Sequence, residues 1–354
     1  MVTDHRTPAT IRDVAERAGV STATVSRVLA GVGNPKADTA AAVMRAAEEL
    51  GYRPSGVARS LRMKRTQTLG LIVTDIQNPF FPELVQAADQ AARDRGYSII
   101  LGSAAYDEHR VVEYLELMVD RRVDGLIIAS SQVSDETWRW LSHSPVPVVV
   151  ANAEANGASV SVITSDNRAG GAMSARHLLG LGHRRLAYIR GFDSFTADVP
   201  RFEGFRDACR DAGIPDDDLV VVRGDGGFDG GERGMAHLLN ANAGVTAVAC
   251  HNDLTAIGAL RALRSARVRV PAELSVIGCD DIAAASWVVP ALTTVGQQKA
   301  EMGTAAVERL AAALDNPDAA EPASVVIPMV LRVRESTGPA PQAPDAVAGQ
   351  TANR

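Results

Sequence analysis

The side chains best suited to chemistry in this sequence are built to recognise rather than to react. Thr22, Ala23, Thr24, Ser26 and Arg27 fall on the outer face of a short expected helix, and all but the arginine are small. Small side chains let a helix sink into the major groove of a duplex, and one arginine can bond a guanine edge through two N–H groups. Farther on, Leu61 stands among Arg59, Arg62, Lys64 and Arg65. An apolar wedge flanked by cations is what a minor-groove intercalating element needs, although a basic linker with a stray leucine has the same composition. Reactive constellations are missing. The seven histidines form no HExxH or His-x-x-x-His pair, and Cys209, Cys250 and Cys279 form no CxxC, so neither a metal nor a cofactor is expected. There is no GxSxG elbow, and Ser165, Asp166, His177 and His183 read as a helix cap with solvent-facing residues. The glycine-rich stretch 222–231 has Asp229 where a dinucleotide fingerprint needs its third glycine, lacks a P-loop Lys-Ser/Thr, and carries Asp225 and Asp229, which repel phosphate. With no catalytic residue to nominate, the chain reads as a binding protein and not an enzyme.

Three short helices would position the first set. Thr10 with Asp13 makes a variant capping box, and Ile11, Val14, Ala15 and Ala18 then share one face. Gly19 suits a left-handed C-cap and Ser21 caps the next helix, 22–30, which buries Val25, Val28 and Leu29. A third helix spans about 38–50. Two short helices joined by a glycine-containing turn are the outline of a helix-turn-helix, and equally of a plain helical hairpin. Residues 54–62 are one incipient helix with Pro54 in its first turn, shorter than the roughly 12 residues at which an isolated helix is marginal. Charge is divided accordingly: residues 1–68 hold eleven Lys and Arg against six Asp and Glu, net +5, leaving −11 for the remainder. A basic head on an acidic body points to an anionic partner for the head alone.

From Leu69 the chain alternates apolar runs with amphipathic stretches. Strands are expected at 69–74, 97–102, 124–129 and 147–151, then at 185–190, 218–224, 246–251 and 273–279. Helices fit between them at 81–95 and 108–120, then at 168–181, 201–212, 231–239 and 254–265. Such alternation predicts an α/β fold with two doubly wound parallel sheets, and ligands then bind at the carboxyl ends of strands facing the cleft between lobes. Phe80 and Phe81, just past the first strand, can stack on a sugar or base face; Asn152 and Asn252 end strands on the same rim, and Trp287 can form a wall. Each of these also fits a core or contact role. Hydrophobic residues make up 46% of the 354, enough for a core. Three unpaired cysteines, no apolar leader and no run of roughly 20 apolar residues predict a cytoplasmic chain with no membrane segment.

The strings ATIRDVAERAGVSTATVSRVL and LGYRPSGVARSLR resemble the headpiece and hinge of the LacI/GalR family of bacterial transcription factors. RVDGLII, SDNRAGG, LGHRRLAYI, HNDLTAIGAL, VPAELSVIGCDD and PALTTV continue the likeness, which covers about residues 9–335. It implies a repressor acting as a homodimer on a pseudo-palindromic operator, with Thr22, Ala23, Thr24 and Arg27 in the major groove. Paired hinges would insert Leu61 into the minor groove, with Arg62 beside it on the DNA. The second half resembles the periplasmic sugar-binding-protein fold, which implies three interlobe crossings, near Ser165, Thr294–Gln297 and Val326–Val330. It also implies that Arg201 and Asp280 hold a small polar effector, by default a carbohydrate. Two departures suggest a reshaped pocket: Cys279 stands where the family has Tyr or Phe, and residues 192–200, with Phe195 and Asp198, replace a small polar run. The expected organisation is a disordered 1–8, a DNA-binding domain 9–53, a hinge and linker 54–68, an effector and dimerisation domain 69–335, and a disordered tail 336–354. A solute-binding receptor shares the second fold but has no use for the headpiece.

Overall fold

The computed structural model describes residues 9–29, 35–52, 65–130, 132–154, 159–192, 197–316 and 321–341. The chain divides into two compact units, Met1–Gln67 and Thr68–Arg354.

In the first unit three helices, α1 (Ile11–Ala18), α2 (Thr22–Leu29) and α3 (Ala37–Glu49), close on a small core. Val14, Val25 and Val43, one from each helix, have no exposed surface, and Ile11, Val28, Leu29 and Tyr52 pack around them. The boundaries follow from local chemistry. Thr10 Oγ1 accepts the Asp13 N–H while the Asp13 carboxylate accepts the Thr10 N–H at 2.7 Å, a reciprocal cap. Gly19 takes φ 65°, which a side chain would disfavour, and ends α1. Ser21 Oγ then accepts the Thr24 N–H at 3.2 Å and starts α2. Arg17 of α1 pairs with Glu49 of α3 at 2.6 Å on the surface.

The second unit is two lobes, each on a six-stranded sheet. Lobe 1 holds β1 (Thr68–Val73), α4 (Phe80–Asp94), β2 (Ser98–Ser103), α5 (Glu108–Asp120), β3 (Gly125–Ala129), α6 (Asp135–Ser142), β4 (Val148–Ala151) and β5 (Ser161–Ser165). Lobe 2 holds α7 (Asn167–Gly180), β6 (Leu186–Arg190), α8 (Asp198–Asp211), β7 (Val220–Arg223), α9 (Phe228–Asn240), β8 (Ala247–Cys250), α10 (Asp253–Ser265), β9 (Ser275–Asp280) and β10 (Thr293–Gly296). The chain then returns to lobe 1 for α11 (Lys299–Asp315) and β11 (Ser324–Ile327), and ends in lobe 2 with β12 (Val330–Arg332). Strand orders are β11-β5-β4-β3-β1-β2 and β12-β10-β9-β8-β6-β7, parallel except where β12 meets β10. Because helices cover both faces, central strands are buried throughout: every residue of β3, β8 and β9 is buried, which is why they read as unbroken apolar runs. The three crossings fall after β5, after β10 and between β11 and β12.

Beyond the eight expected strands the structure adds β5, β10, β11 and β12, three to five residues each, which form by pairing with partners distant in sequence. Helix crossings in lobe 2 are unusually close. A methyl at Gly171 of α7 would sit 1.8 Å from the Arg201 carbonyl, and one at Gly204 of α8 would sit 1.9 Å from that of Arg168. Gly231 and Gly258 do the same for α9 and α10, against Thr255 and Phe228.

Two expectations need correction. The tail does not begin at Ser336: its hydroxyl donates to the Val276 carbonyl at 2.6 Å and accepts the Thr293 N–H at 2.8 Å, and the Gly338 N–H donates to Ser275 at 3.1 Å. His183 is not solvent-facing but wholly buried, its ring bonded to Thr246, Ser275 and the Gly338 carbonyl, and burial pushes its pKa down. In both cases the partners lie 43 or more residues away, so local polarity misleads.

Candidate functional site

On α2 the core-facing Val25 leaves Thr22, Ala23 and Arg27 exposed, with Thr24 half-buried and its hydroxyl 2.9 Å from that of Ser21. Among the described residues Arg27 makes one side-chain hydrogen bond, a 3.4 Å contact from Nε to the Ala23 carbonyl, which leaves the Nη donors for a partner. The expected face is therefore present: short side chains around one long cation. Leu61 and Arg62, with the expected hinge 54–62, lie outside the described residues.

A narrow cleft opens between the lobes of the second unit. Lobe 1 supplies Asn78, Phe80, Phe81, Tyr106 and Asn152; lobe 2 supplies Arg201, His251, Asn252 and Asp280, and Gln297 comes from the second crossing. Phe80 and Phe81 open α4 after the Asn78-Pro79 turn, where Asn78 Oδ1 accepts the Phe80 N–H at 3.0 Å. Their rings meet edge to face, 5.1 Å apart, and form an apolar floor. Asn152 leaves β4 at φ 61°, a left-handed geometry that asparagine tolerates.

Arg201, one turn into α8, is 4% exposed. Its Nε and Nη2 donate to Asn167 Oδ1 at 3.2 and 2.8 Å, and Nη1 donates to the His251 carbonyl at 2.6 Å. These bonds fix the plane of the guanidinium and leave donors for a ligand. Asp280 ends β9 at φ 127°, also 4% exposed, with Oδ1 accepting Gln297 Nε2 at 2.7 Å. No direct ion pair joins the two among the described residues: each is held by amides, so the cleft presents a cation and a carboxylate side by side. That arrangement offers donors to one hydroxyl and acceptors to its neighbour.

Around this pair the titration behaviour is set by depth. Asp280 is pushed up by burial against the pull of Arg201, and Asp253, at the start of α10, is pushed up to about 7 by burial and by the Asp280 charge. Asp253 accepts from the Thr294 hydroxyl at 2.5 Å and the Ile282 N–H at 2.9 Å. Asp198 behaves oppositely. Burial disfavours its charge, but His251, whose Nδ1 lies 2.7 Å away, and Arg190 outweigh that and bring it down to about 2. Asp198, singled out in the sequence as a departure, thus sits behind the wall and holds His251. Phe195 lies outside the described residues.

Two expected contacts change role. Trp287 does not reach the cleft: a 3-10 turn at Ala283–Ser286 carries it outward, and it is 76% exposed. Asn252 lines the cleft, but its Oδ1 caps α10 through the Thr255 N–H at 2.9 Å and its Nδ2 donates to the Gly226 carbonyl at 2.7 Å, so both ends are engaged. Asn78, Tyr106, His251 and Gln297 were missed by sequence reading, although each follows a strand end by a few residues, the signal already used for Phe80 and Asn152. Among the described residues no His, Cys, Asp and Glu cluster could hold a metal, and no helix is long and apolar enough to cross a membrane.

Comparison with known proteins agrees with this geometry. Residues 10–55 match the model for bacterial regulatory proteins of the lacI family, and residues 175–337 match that for a periplasmic binding protein-like domain. The HTH-type transcriptional regulator GalR of Escherichia coli (strain K12) is 35% identical over 337 residues, 95% of this chain and 98% of that protein. Among solved structures, a lac repressor dimer bound to operator and the anti-inducer ONPF superposes with a TM-score of 0.85 at 28% identity, over 94% of this chain and all of that one. A complex of the transcriptional regulator CelR with cellobiose gives a TM-score of 0.71 at 32% identity, over 93% and 99% of the two chains.

Proposed function

Because the chain belongs to the lacI family of bacterial regulatory proteins, a DNA-binding transcriptional repressor with a periplasmic-binding-protein-like effector domain, we propose that its effector is a small neutral carbohydrate. The ligand sits in the cleft and sets the affinity of a homodimer for a pseudo-palindromic operator. The observation that carries the reading is the amide-braced pair Arg201 and Asp280 above the Phe80–Phe81 floor. Adjacent hydroxyls of a sugar satisfy the cation and the carboxylate together, and an apolar sugar face covers an aromatic ring. The charges balance, which suits a ligand with none of its own. Cellobiose in a structural neighbour supports the class but not the identity.

On the DNA side, Thr22, Ala23, Thr24 and Arg27 enter the major groove, Leu61 wedges into the minor groove, and Arg62 contacts the DNA without reading sequence, the last two on the strength of sequence alone. The domain organisation follows: DNA reading in 9–53, hinge in 54–68, effector binding and dimerisation from 69. Control is a shift between two lobe arrangements, limited by the ligand's differential affinity for them. The receptor reading does not account for the match at residues 10–55.

The test pairs two measurements on the full-length protein. Calorimetric titration with a panel of mono- and disaccharides finds at least one that binds wild type and not Arg201→Met or Asp280→Asn. A fragment from the region upstream of the coding sequence is retarded by wild type, and the same saccharide alters that retardation. A panel in which no saccharide binds, or binds the variants equally well, overturns the assignment of the cleft.

A further inference from the structure

The second crossing carries a lysine that the effector reading does not use. Lys299 is the first residue of α11 and only 5% exposed. Both features are unfavourable for a cation, since burial removes its hydration and a helix N-terminus carries partial positive charge. The compensation is two hydrogen bonds and an ion pair. Lys299 Nζ donates to the Asp280 and Asp281 carbonyls, each at 2.7 Å, and lies 3.3 Å from Glu83 Oε2. Two ammonium protons are bonded to carbonyls, and the charge is met by the Glu83 carboxylate as an ion pair.

These acceptors belong to different lobes. Asp280 and Asp281 form the turn that ends β9 in lobe 2, and Glu83 is in the first turn of α4 in lobe 1, the turn that begins with Phe80 and Phe81. The two aspartates are consecutive non-glycine residues at positive φ, 127° and 55°, a backbone found only where surroundings enforce it. That backbone lets both carbonyls reach one ammonium. From the other side Arg334 holds the Asp281 carboxylate at 2.5 Å, and Gln297 ties the Asp280 carboxylate to Ser165 at the first crossing, with bonds of 2.7 Å at both ends. The turn bearing the effector carboxylate is therefore gripped by lobe 2 through Arg334 and by lobe 1 through Lys299.

We propose that Lys299 is a positioning residue that latches the Asp280–Asp281 turn of one lobe to the aromatic turn of the other, through its bonds to both carbonyls and its ion pair with Glu83. This rests on the reading of the cleft as the effector site and names how its occupancy is passed between lobes. A ligand that pulls on Asp280 shifts carbonyls bonded to Lys299, and the ammonium moves with Glu83 and the start of α4. The close seat of α11 on α4, where a methyl at Gly303 would lie 2.4 Å from the Leu84 carbonyl, makes the two helices move together.

The experiment is hydrogen exchange by mass spectrometry on the full-length protein without ligand. In Lys299→Met, exchange rises about ten-fold or more both at the amides of 281–283 and at those of Glu83 and Leu84, while β3 and β6 keep wild-type protection. Lys299→Arg, which keeps the charge, restores most of the protection. Glu83→Gln, a half-exposed change that leaves the core alone, raises exchange at α4 but not at the turn. A rise confined to the first turn of α11, or spread evenly over both sheets, or no rise at all, overturns the latch. Because no ligand is added, failure to find a saccharide effector would overturn the proposed function and leave this result standing.

Discussion

Asp253→Asn should stabilise the second unit at alkaline pH, and the amount can be worked from the site. Asp253 is wholly buried, with a folded-state pKa of about 7 against the ordinary 3.8. A folded pKa above the unfolded value means that the folded state holds the proton more tightly. The group therefore costs nothing well below 3.8, costs progressively more as pH rises through the window to about 7, and stays at that level above it. A difference of roughly three units corresponds to about 4 kcal/mol in total, of which about 2 kcal/mol accumulates between about pH 5.5 and about pH 8.5. An amide removes the charge and keeps the bonds: its oxygen accepts the Ile282 N–H, and its NH2 donates to a rotated Thr294 hydroxyl. The buried histidines act with the opposite sign. His183 has a lowered pKa, so the unfolded chain takes up its proton first and stability is lost as pH falls through about 6.5. That contribution cancels in the difference between wild type and variant. Asp198, already ionised at about 2, adds nothing in this window. Urea unfolding followed by tryptophan fluorescence is the assay, since all three tryptophans (Trp138, Trp140 and Trp287) lie in the second unit. The variant gains about 2 kcal/mol more at about pH 8.5 than at about pH 5.5. Equal gains at both, or a loss at the higher pH, would refute the account of the buried aspartates.

Arg27→Ala should relax base preference at one position per half-site, with about 1–3 kcal/mol of lost discrimination; binding-site selection that returns the wild-type motif removes Arg27 from the groove. Operator affinity should fall on the order of 10³-fold between roughly 50 and 200 mM salt as phosphate contacts release counterions, and a flat titration argues against the basic head as the DNA partner. Gly171→Ala forces a methyl to 1.8 Å from the Arg201 carbonyl, so unfolding should show a loss of about 1–3 kcal/mol and calorimetry a weaker effector, whereas unchanged affinity would separate Arg201 from that crossing. Thr10→Ala removes a reciprocal cap and should lower the stability of the first unit by about 1 kcal/mol in thermal unfolding followed by circular dichroism, with effector binding unaltered.

Legibility in the sequence tracked how local each determinant is. The Thr10–Asp13 cap, the Gly19 terminus and the face of α2 depend on residues within four positions of one another, and all could be read directly. Six of the eight expected strands announced themselves because both their faces are buried and their sequence is mostly apolar, while β2 and β7, at the sheet edges and partly exposed, were still legible from their short apolar cores. Strands β10 to β12 did not, since three or four residues gain strand structure only from a partner such as Arg332 opposite Thr294. In the cleft, Arg201 and Asp280 were recognisable only through family resemblance, because an isolated arginine and aspartate have no signature. Trp287 misled for a related reason: an aromatic after a strand looks like a wall, and only the intervening 3-10 turn decides which way it faces. Lys299 gave no signal at all, as its three partners are 18, 19 and 216 residues distant.

The glycine crossings of lobe 2 bear on how such a protein can diversify. With Gly171 against Arg201, Gly204 against Arg168, and Gly231 and Gly258 against their neighbours, four helices are pinned at points where even one added carbon collides with backbone. Substitution there is punished at once, and the helices cannot slide to accommodate a ligand of another shape. Innovation is thereby channelled into the loops at the carboxyl ends of the strands, while the scaffold beneath them stays rigid. New specificity in this lineage would be acquired by rewriting the rim, with the frame inherited unaltered.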